Sequence, residues 1–440
     1  MSPPDVSPSA SWAVEPSGPL RGEIRVSGSK NAITKHMVAA IMGHTPSTIT
    51  NVPDVGDVGI TTEVLESLGV GVDLDGDTVT ITPADDLQAE VPVRYSGLNR
   101  IPILLLGPLL HLRSEAFVPV MGGDRIGARP VDFHVEALRS FGAEVVEDDE
   151  GVRAKVSGRL QGTTITLPYP SVGATESVLL TAAMAEGRTV LRNAATEPEI
   201  IELALFLQRM GARLELQPGR RFLIEGVEHL HGARTALAGD RLEAFSYLVA
   251  GLATGGEVRV AGCHQDRMVT AISTLQRMGA EFDINDAWLS ASAQGLHPVA
   301  IHTDTHPGFM TDWQSPLFVL MTQAEGMSVL HETVFEDRVQ YPASVVAAMG
   351  GEIELFDTCL GGPDCRFHDT NAVHSAVVRG VSKLRGAHVE IPDVRAGFSG
   401  VIAAAAAEGS SVIGGVHHLE RGYNRPFETF EALGLELRQA

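Results

Sequence analysis

Apolar positions along the chain repeat one phrase: a stretch at helical spacing closes on a large apolar residue, then comes a glycine, then a short alternating run. It reads Leu68-Gly69-Val70, Phe141-Gly142-Ala143, Met210-Gly211-Ala212, Met278-Gly279-Ala280, Met349-Gly350-Gly351 and Leu433-Gly434-Leu435, with the glycines 73, 69, 68, 71 and 84 residues apart. A glycine behind an amphipathic helix supplies the left-handed residue that closes it. The runs that follow, such as Ala143-Glu144-Val145 and Ala280-Glu281-Phe282, alternate as a strand with one buried face does. The pattern predicts six α/β units.

A second phrase marks the other end of each unit, where an alternating strand enters a turn and then a small-residue helix. It occurs at residues 22–31, 117–129, 163–175, 234–241, 299–312 and 389–396. Polar residues gather at this one position. Helix N-termini present unpaired N–H groups and the positive end of the helix dipole, so several of them around one cleft make an anion site. Six units in two sets of three predict two similar domains with the ligand cleft between them. We place a disordered tail at residues 1–19, an N-terminal domain at 30–237, and a discontinuous C-terminal domain at 20–29 plus 238–440.

Charge fits a local anion site. The 440 residues carry 33 Lys+Arg against 55 Asp+Glu, a net charge of -22, which argues against a nucleic-acid or anionic-membrane surface. The first nineteen residues, rich in Pro and Ser, lack the basic start and apolar run of a signal peptide, and no apolar run approaches the roughly twenty residues of a membrane helix. Cys263, Cys359 and Cys365 form no CxxC pair, so a reducing, cytoplasmic setting is expected. The longest glycine spacing holds a Gly/Pro/His insertion from Cys359 to His368. A Cys/His metal site there is conceivable, but a solvated loop is the preferred reading, and no metal is expected.

The most suggestive stretch runs from Val118 to His134. A strand leads into Gly122-Gly123, an acid, Asp124, sits beside Arg125, and a helix follows that Pro130 can start. Together with Ser27-Gly28-Ser29-Lys30-Asn31, this stretch resembles the UDP-N-acetylglucosamine enolpyruvyl transferases. The likeness continues through Pro170-Ser171-Val172-Gly173-Ala174-Thr175, Gly239-Asp240-Arg241, Phe309-Met310-Thr311-Asp312, the run from Glu332 to Arg338, Asp393-Val394-Arg395 and Glu420-Arg421-Gly422-Tyr423. The order and spacing of these strings carry the resemblance over nearly the whole chain after the tail.

The resemblance implies two inside-out α/β domains, each of three βαβαββ repeats, with the active site in the interdomain cleft. It implies transfer of the enolpyruvyl group of phosphoenolpyruvate to the 3-hydroxyl of a UDP-sugar with release of phosphate, the first committed step of peptidoglycan synthesis, and neither a metal nor an organic cofactor. It assigns a phosphoenolpyruvate and phosphate role to Lys30, Arg100, Arg129, Arg338, Arg395 and Arg421, a cation set whose guanidinium forks suit carboxylate and phosphate. Asp312 is the implied base at the sugar hydroxyl and Asp124 the implied acid, at a loop position where many members carry cysteine. Fosfomycin, which alkylates that cysteine, should then lose its target. The nucleotide side is implied to involve Arg129, Pro130, Val131, Asp132, Phe133, Ser171, Val172 and Gly173, and the sugar Asn31 and Val334.

Three positions depart from the common acceptor pocket: Gly56 and Tyr169 replace lysines, and Leu104 replaces a tryptophan. Two other readings follow, namely a secondary-metabolism transferase acting on another uridine nucleotide such as UMP, and a non-catalytic UDP-sugar-binding paralogue.

Overall fold

The computed structural model describes residues 11–440 apart from Asp124, Arg125, Ala128, residues 361–364 and Pro392. The described chain divides into two compact units. One, here the N-terminal unit, holds residues 28–123 and 129–237; the other, the C-terminal unit, holds 11–27, 126–127 and 238–440.

All six repeat glycines adopt positive φ, from 90° at Gly434 to 102° at Gly211, the region that strains any residue with a Cβ. The apolar residue before each, Leu68, Phe141, Met210, Met278, Met349 and Leu433, is buried, which stabilises each helix end by about 1.5–3 kcal/mol. A strand follows every time: Gly71–Asp75, Glu144–Asp148, Arg213–Gln217, Ala280–Ile284, Glu352–Phe356 and Leu437–Gln439.

Each of these strands belongs to a different sheet, three sheets in each unit. Five have four strands and one has three. The repeat is plain in the middle sheet of the C-terminal unit, where Ala300–His302 runs parallel to Gly326–His331, and that strand and Glu352–Phe356 both run antiparallel to Ser375–Gly380. Sheets lie outside and helices inside. In the C-terminal unit Arg241–Ala253, Gln314–Gln323 and Val394–Ala406 pack on one another, and every residue of the first is buried. In the N-terminal unit Val172–Ala182 packs against Leu106–Arg113, Asp132–Ser140 and Pro198–Arg209. Each unit has its own apolar core.

Chain order is broken at the N-terminus. Strand Arg21–Arg25 runs parallel to Glu257–Ala261 in the C-terminal unit, while Arg234–Ala236 runs parallel to Ser47–Thr50 in the N-terminal unit. The tail expected at 1–19 needs correction where it is described. Trp12–Val14 is a strand paired on both sides, with Ser411–Gly414 and Leu437–Gln439. Trp12 is 1% exposed and meets the ring of Phe427 edge-on at 5.3 Å. The Pro/Ser composition concealed two buried apolar side chains, Trp12 and Val14, that complete a sheet no local pattern reveals.

Candidate functional site

In the C-terminal unit acids cap two of the helices, Arg241–Ala253 and Val394–Ala406. Asp240 Oδ1 accepts from the N–H groups of Leu242 (2.7 Å) and Glu243 (3.3 Å), and Asp393 Oδ1 from those of Arg395 (2.7 Å) and Ala396 (2.9 Å). Such caps stabilise a helix by about 1 kcal/mol. Here they also fix where Arg395 leaves the first turn of Val394–Ala406.

Asp312, in the tight turn Thr311–Trp313, receives two arginines on one oxygen: Arg338 Nη2 at 2.7 Å and Arg395 Nε at 3.2 Å. Helix capping, the ordinary role for an acid before a helix, is not what Asp312 does, for helix Gln314–Gln323 has no side-chain cap. Both arginine side chains are 6% exposed. Burial opposes the charge of Arg395, but Tyr423, Asp312 and Asp240 outweigh it and raise its pKa, so it is always a cation. Its Nη1 is buried without a hydrogen-bond partner among the described residues. A buried guanidinium N–H of that kind suits an anionic oxygen.

Glu332 organises this corner. Its Oε1 accepts from the N–H groups of Val334 (2.7 Å) and Phe335 (3.0 Å), and its Oε2 from Thr311 Oγ1 (2.8 Å) and Gln314 Nε2 (2.6 Å). One buried carboxylate thereby ties the turn carrying Asp312 to the segment carrying Val334 and Arg338. Burial raises its pKa, and the donors work against that rise. Tyr423 lies under Arg395, with the guanidinium carbon 5.2 Å from its ring centre, and its hydroxyl is 3.2 Å from Ser246 Oγ. Arg421 is half-buried at the end of the short helix His417–Glu420.

In the N-terminal unit Lys30 opens helix Lys30–Ala40, and its Nζ lies 2.9 Å from Asp57 Oδ2. Asn31 is half-buried beside it. Gly56, which stands where the family resemblance leads one to expect a cation, opens helix Gly56–Ser67, and the acid that follows it, Asp57, is the partner of Lys30. Arg100 and Arg129 are neighbours; burial, then the charge of Arg129, lowers the Arg100 pKa to about 10, which leaves it charged at neutral pH. Arg100 Nη2 donates to the Pro130 carbonyl at 3.4 Å.

The two glycines entering the Asp124 loop serve different ends. A Cβ on Gly122 would lie 1.9 Å from the Gly97 carbonyl oxygen, whereas Gly123 has φ 115°. Asp124 itself lies outside the described residues. Helix Asp132–Ser140 begins two residues later than Pro130 suggests, with Val131 buried, Asp132 exposed and Phe133 half-buried. Ser171 caps Val172–Ala182, its Oγ accepting from Ala174 N at 3.3 Å, with Val172 exposed and Gly173 half-buried after it. A Cβ on Gly173 would lie 3.1 Å from His134 Cε1. Burial, then Arg100, lowers the His134 pKa to about 3, so it is a neutral ring under this helix start.

Within the C-terminal unit Asp312, Arg338 and Arg395 therefore come together, and in the N-terminal unit Arg100 with Arg129. Asp57, Glu332, Asp393 and Tyr423 were not assigned roles from sequence, although the last three lie inside the quoted strings. Leu104, marked as a pocket position, is 3% exposed and part of the core. The solvated loop expected after Cys359 also needs correction: Phe367 is 6% exposed, His374 is fully buried, and Cys359, Cys365, His331 and His374 converge.

Two three-sheet units, one with the acid-capped helix starts that carry Arg241 and Arg395, define an α/β fold shared with solved enolpyruvyl transferases. The enolpyruvyl transferase NikO from Streptomyces tendae superposes with a TM-score of 0.86 at 24% identity, over 98% of this chain and 99% of that one. EPSP synthase from Acinetobacter baumannii superposes with a TM-score of 0.74 at 19% identity, over 98% of this chain and all of that one. The chain belongs to the EPSP synthase (3-phosphoshikimate 1-carboxyvinyltransferase) family, whose model matches residues 14–430. In sequence it is similar to the UDP-N-acetylglucosamine 1-carboxyvinyltransferase of Chlamydia pneumoniae, 42% identical over 96% of this chain and 93% of that protein. The enzyme of the same name from Nitratidesulfovibrio vulgaris strain DP4 is 39% identical over 97% of this chain and 98% of its own length.

Proposed function

We propose that this protein transfers the enolpyruvyl group of phosphoenolpyruvate to the 3-hydroxyl of UDP-N-acetylglucosamine and releases phosphate. The observation that carries the reading is the near full-length similarity to enzymes of that name, in a chain that places Asp312 between Arg338 and Arg395. The reaction needs a base at the sugar oxygen, a proton at the methylene carbon, and cations for a carboxylate and a phosphate.

Asp312 takes the hydroxyl proton as the sugar oxygen bonds to C2 of phosphoenolpyruvate, and Asp124 gives a proton to C3. Loss of a C3 proton then expels phosphate and restores the double bond. Arg395, Arg421 and Arg338 hold the phosphoenolpyruvate side, Lys30 reaches both substrates, and Arg100 and Arg129 hold phosphate. Arg129, Pro130, Val131, Asp132, Phe133, Ser171, Val172 and Gly173 serve the uridine diphosphate, and Asn31 and Val334 the sugar. The product places the enzyme at the entry to peptidoglycan synthesis, and with it cell-wall growth and division, in the cytoplasm. No described helix is long and apolar enough to cross a membrane.

The test is the product itself. Incubation with phosphoenolpyruvate and UDP-N-acetylglucosamine should yield a UDP-sugar heavier by one enolpyruvyl group, detected by mass spectrometry. Consumption of phosphoenolpyruvate without that product would refute the proposal.

A further inference from the structure

The insertion in the fifth repeat, which joins strand Glu352–Phe356 to strand Ser375–Gly380, folds back beside the end of strand Gly326–His331. His331 closes strand Gly326–His331 and His374 immediately precedes strand Ser375–Gly380, so the pairing of His331 with Ser375 sets the two imidazoles side by side, with ring centres 5.3 Å apart. Cys359 and Cys365 come from the loop that leads from strand Glu352–Phe356 to His374. One ligand-type atom from each of the four side chains lies within 4.8 Å of the others.

Two of the spacings match those of a tetrahedral ion. With zinc–sulfur bonds of about 2.3 Å and zinc–nitrogen bonds of about 2.05 Å, tetrahedral angles separate two sulfurs by about 3.8 Å and a sulfur from a nitrogen by about 3.5 Å. Cys359 Sγ lies 3.7 Å from Cys365 Sγ and 3.5 Å from His374 Nε2. His374 turns its other nitrogen, Nδ1, to the Ala372 carbonyl at 2.7 Å, the outer hydrogen bond that fixes a metal-binding tautomer. Cys365 Sγ accepts from the Phe367 N–H at 3.3 Å. His331 is fully buried, and neither of its ring nitrogens has a hydrogen-bond partner among the described residues. A buried imidazole left that way has a nitrogen open to an ion.

We propose that His331, Cys359, Cys365 and His374 form a structural zinc site. All four positions are taken by protein, as in closed structural sites, so the ion has no catalytic coordination position. Its effect is on the neighbouring segment. Glu332 N–H donates to the His374 carbonyl at 2.7 Å, and Arg366 Nη2 to the Val334 carbonyl at 2.6 Å. A metal holding the insertion therefore also holds the run that bears Val334 and Arg338.

The test uses untagged, full-length protein dialysed against micromolar Zn2+, passed through a metal-free column and analysed for metal and intact mass. We expect close to one zinc per chain, a fall to near zero in C359S/C365S, and, after exchange to Co2+, the visible bands of a tetrahedral ion with thiolate charge-transfer absorption. If the double variant does not fold, the Co2+ spectrum of the unmodified chain decides. Zinc below about a tenth of an equivalent after loading, unchanged zinc in the folded double variant, an octahedral Co2+ spectrum, or a mass two daltons low from a Cys359–Cys365 disulfide would each overturn the proposal.

Discussion

Asp312→Asn keeps the shape of the side chain and removes its charge, and so separates the two jobs assigned to it. The carboxylate oxygen lies 2.7 Å from Arg338 Nη2 and 3.2 Å from Arg395 Nε, and both guanidinium groups are 6% exposed. Stripping one partner from a buried ion pair costs about 3–5 kcal/mol. Asp312 is 18% exposed, so solvent recovers part of that, and we expect roughly 2–3 kcal/mol of lost stability. Loss of a general base costs about 10²–10⁴ in turnover. With both substrates saturating, phosphate release should fall at least about a hundredfold, while KM for phosphoenolpyruvate moves by less than about fivefold, because the arginines that bind it remain. Urea denaturation of the same preparation reads the stability term. A folded variant that retains kcat within about tenfold of the unmodified enzyme would refute the assignment of Asp312 as base.

Three further outcomes are expected. Fosfomycin should cause no time-dependent inactivation, whereas Asp124→Cys should become sensitive; inactivation of the unmodified enzyme at low concentration would contradict the role of Asp124. Burial raises the Glu176 pKa from 4.5 to about 7, so the unfolded chain ionises first, and stability should fall as pH rises from 4.5 to 7 and then level off, by roughly 3 kcal/mol in all. Glu176→Gln should flatten that profile in urea denaturation, and an unchanged slope would refute the assignment. Trp12→Ala, emptying a site 1% exposed, should lower stability by about 3–5 kcal/mol in thermal denaturation, and a loss under about 1 kcal/mol would show that the N-terminal strand is dispensable.

What could be read from the chain depended on how local the signal was. The helix-closing glycines announce themselves, because positive φ after a buried apolar residue is a demand met within a few positions, and Gly69, Gly142, Gly211, Gly279, Gly350 and Gly434 all meet it. Strand Trp12–Val14 was invisible for the opposite reason: its partners lie some four hundred residues away, at Ser411–Gly414 and Leu437–Gln439. A Cys/His site at the insertion is weighed and set aside for a solvated loop on sequence alone, because strand register, which the spacing of the cysteines does not encode, brings His331 beside His374. Motif strings located Asp312, Arg338 and Arg395, but not that one oxygen of Asp312 receives both arginines, nor that Glu332 supports the corner. The departure at Gly56 was legible as a missing cation, whereas the pairing of the neighbouring Asp57 with Lys30 required the fold.

The acceptor distinguishes this enzyme from other members of its family. The direct measurement is phosphate release from phosphoenolpyruvate with UDP-N-acetylglucosamine, UMP, shikimate 3-phosphate or no acceptor, compared as kcat/KM. Release with UDP-N-acetylglucosamine should far exceed release with the other three, and release with UMP or shikimate 3-phosphate alone, or without any acceptor, would overturn the assigned acceptor.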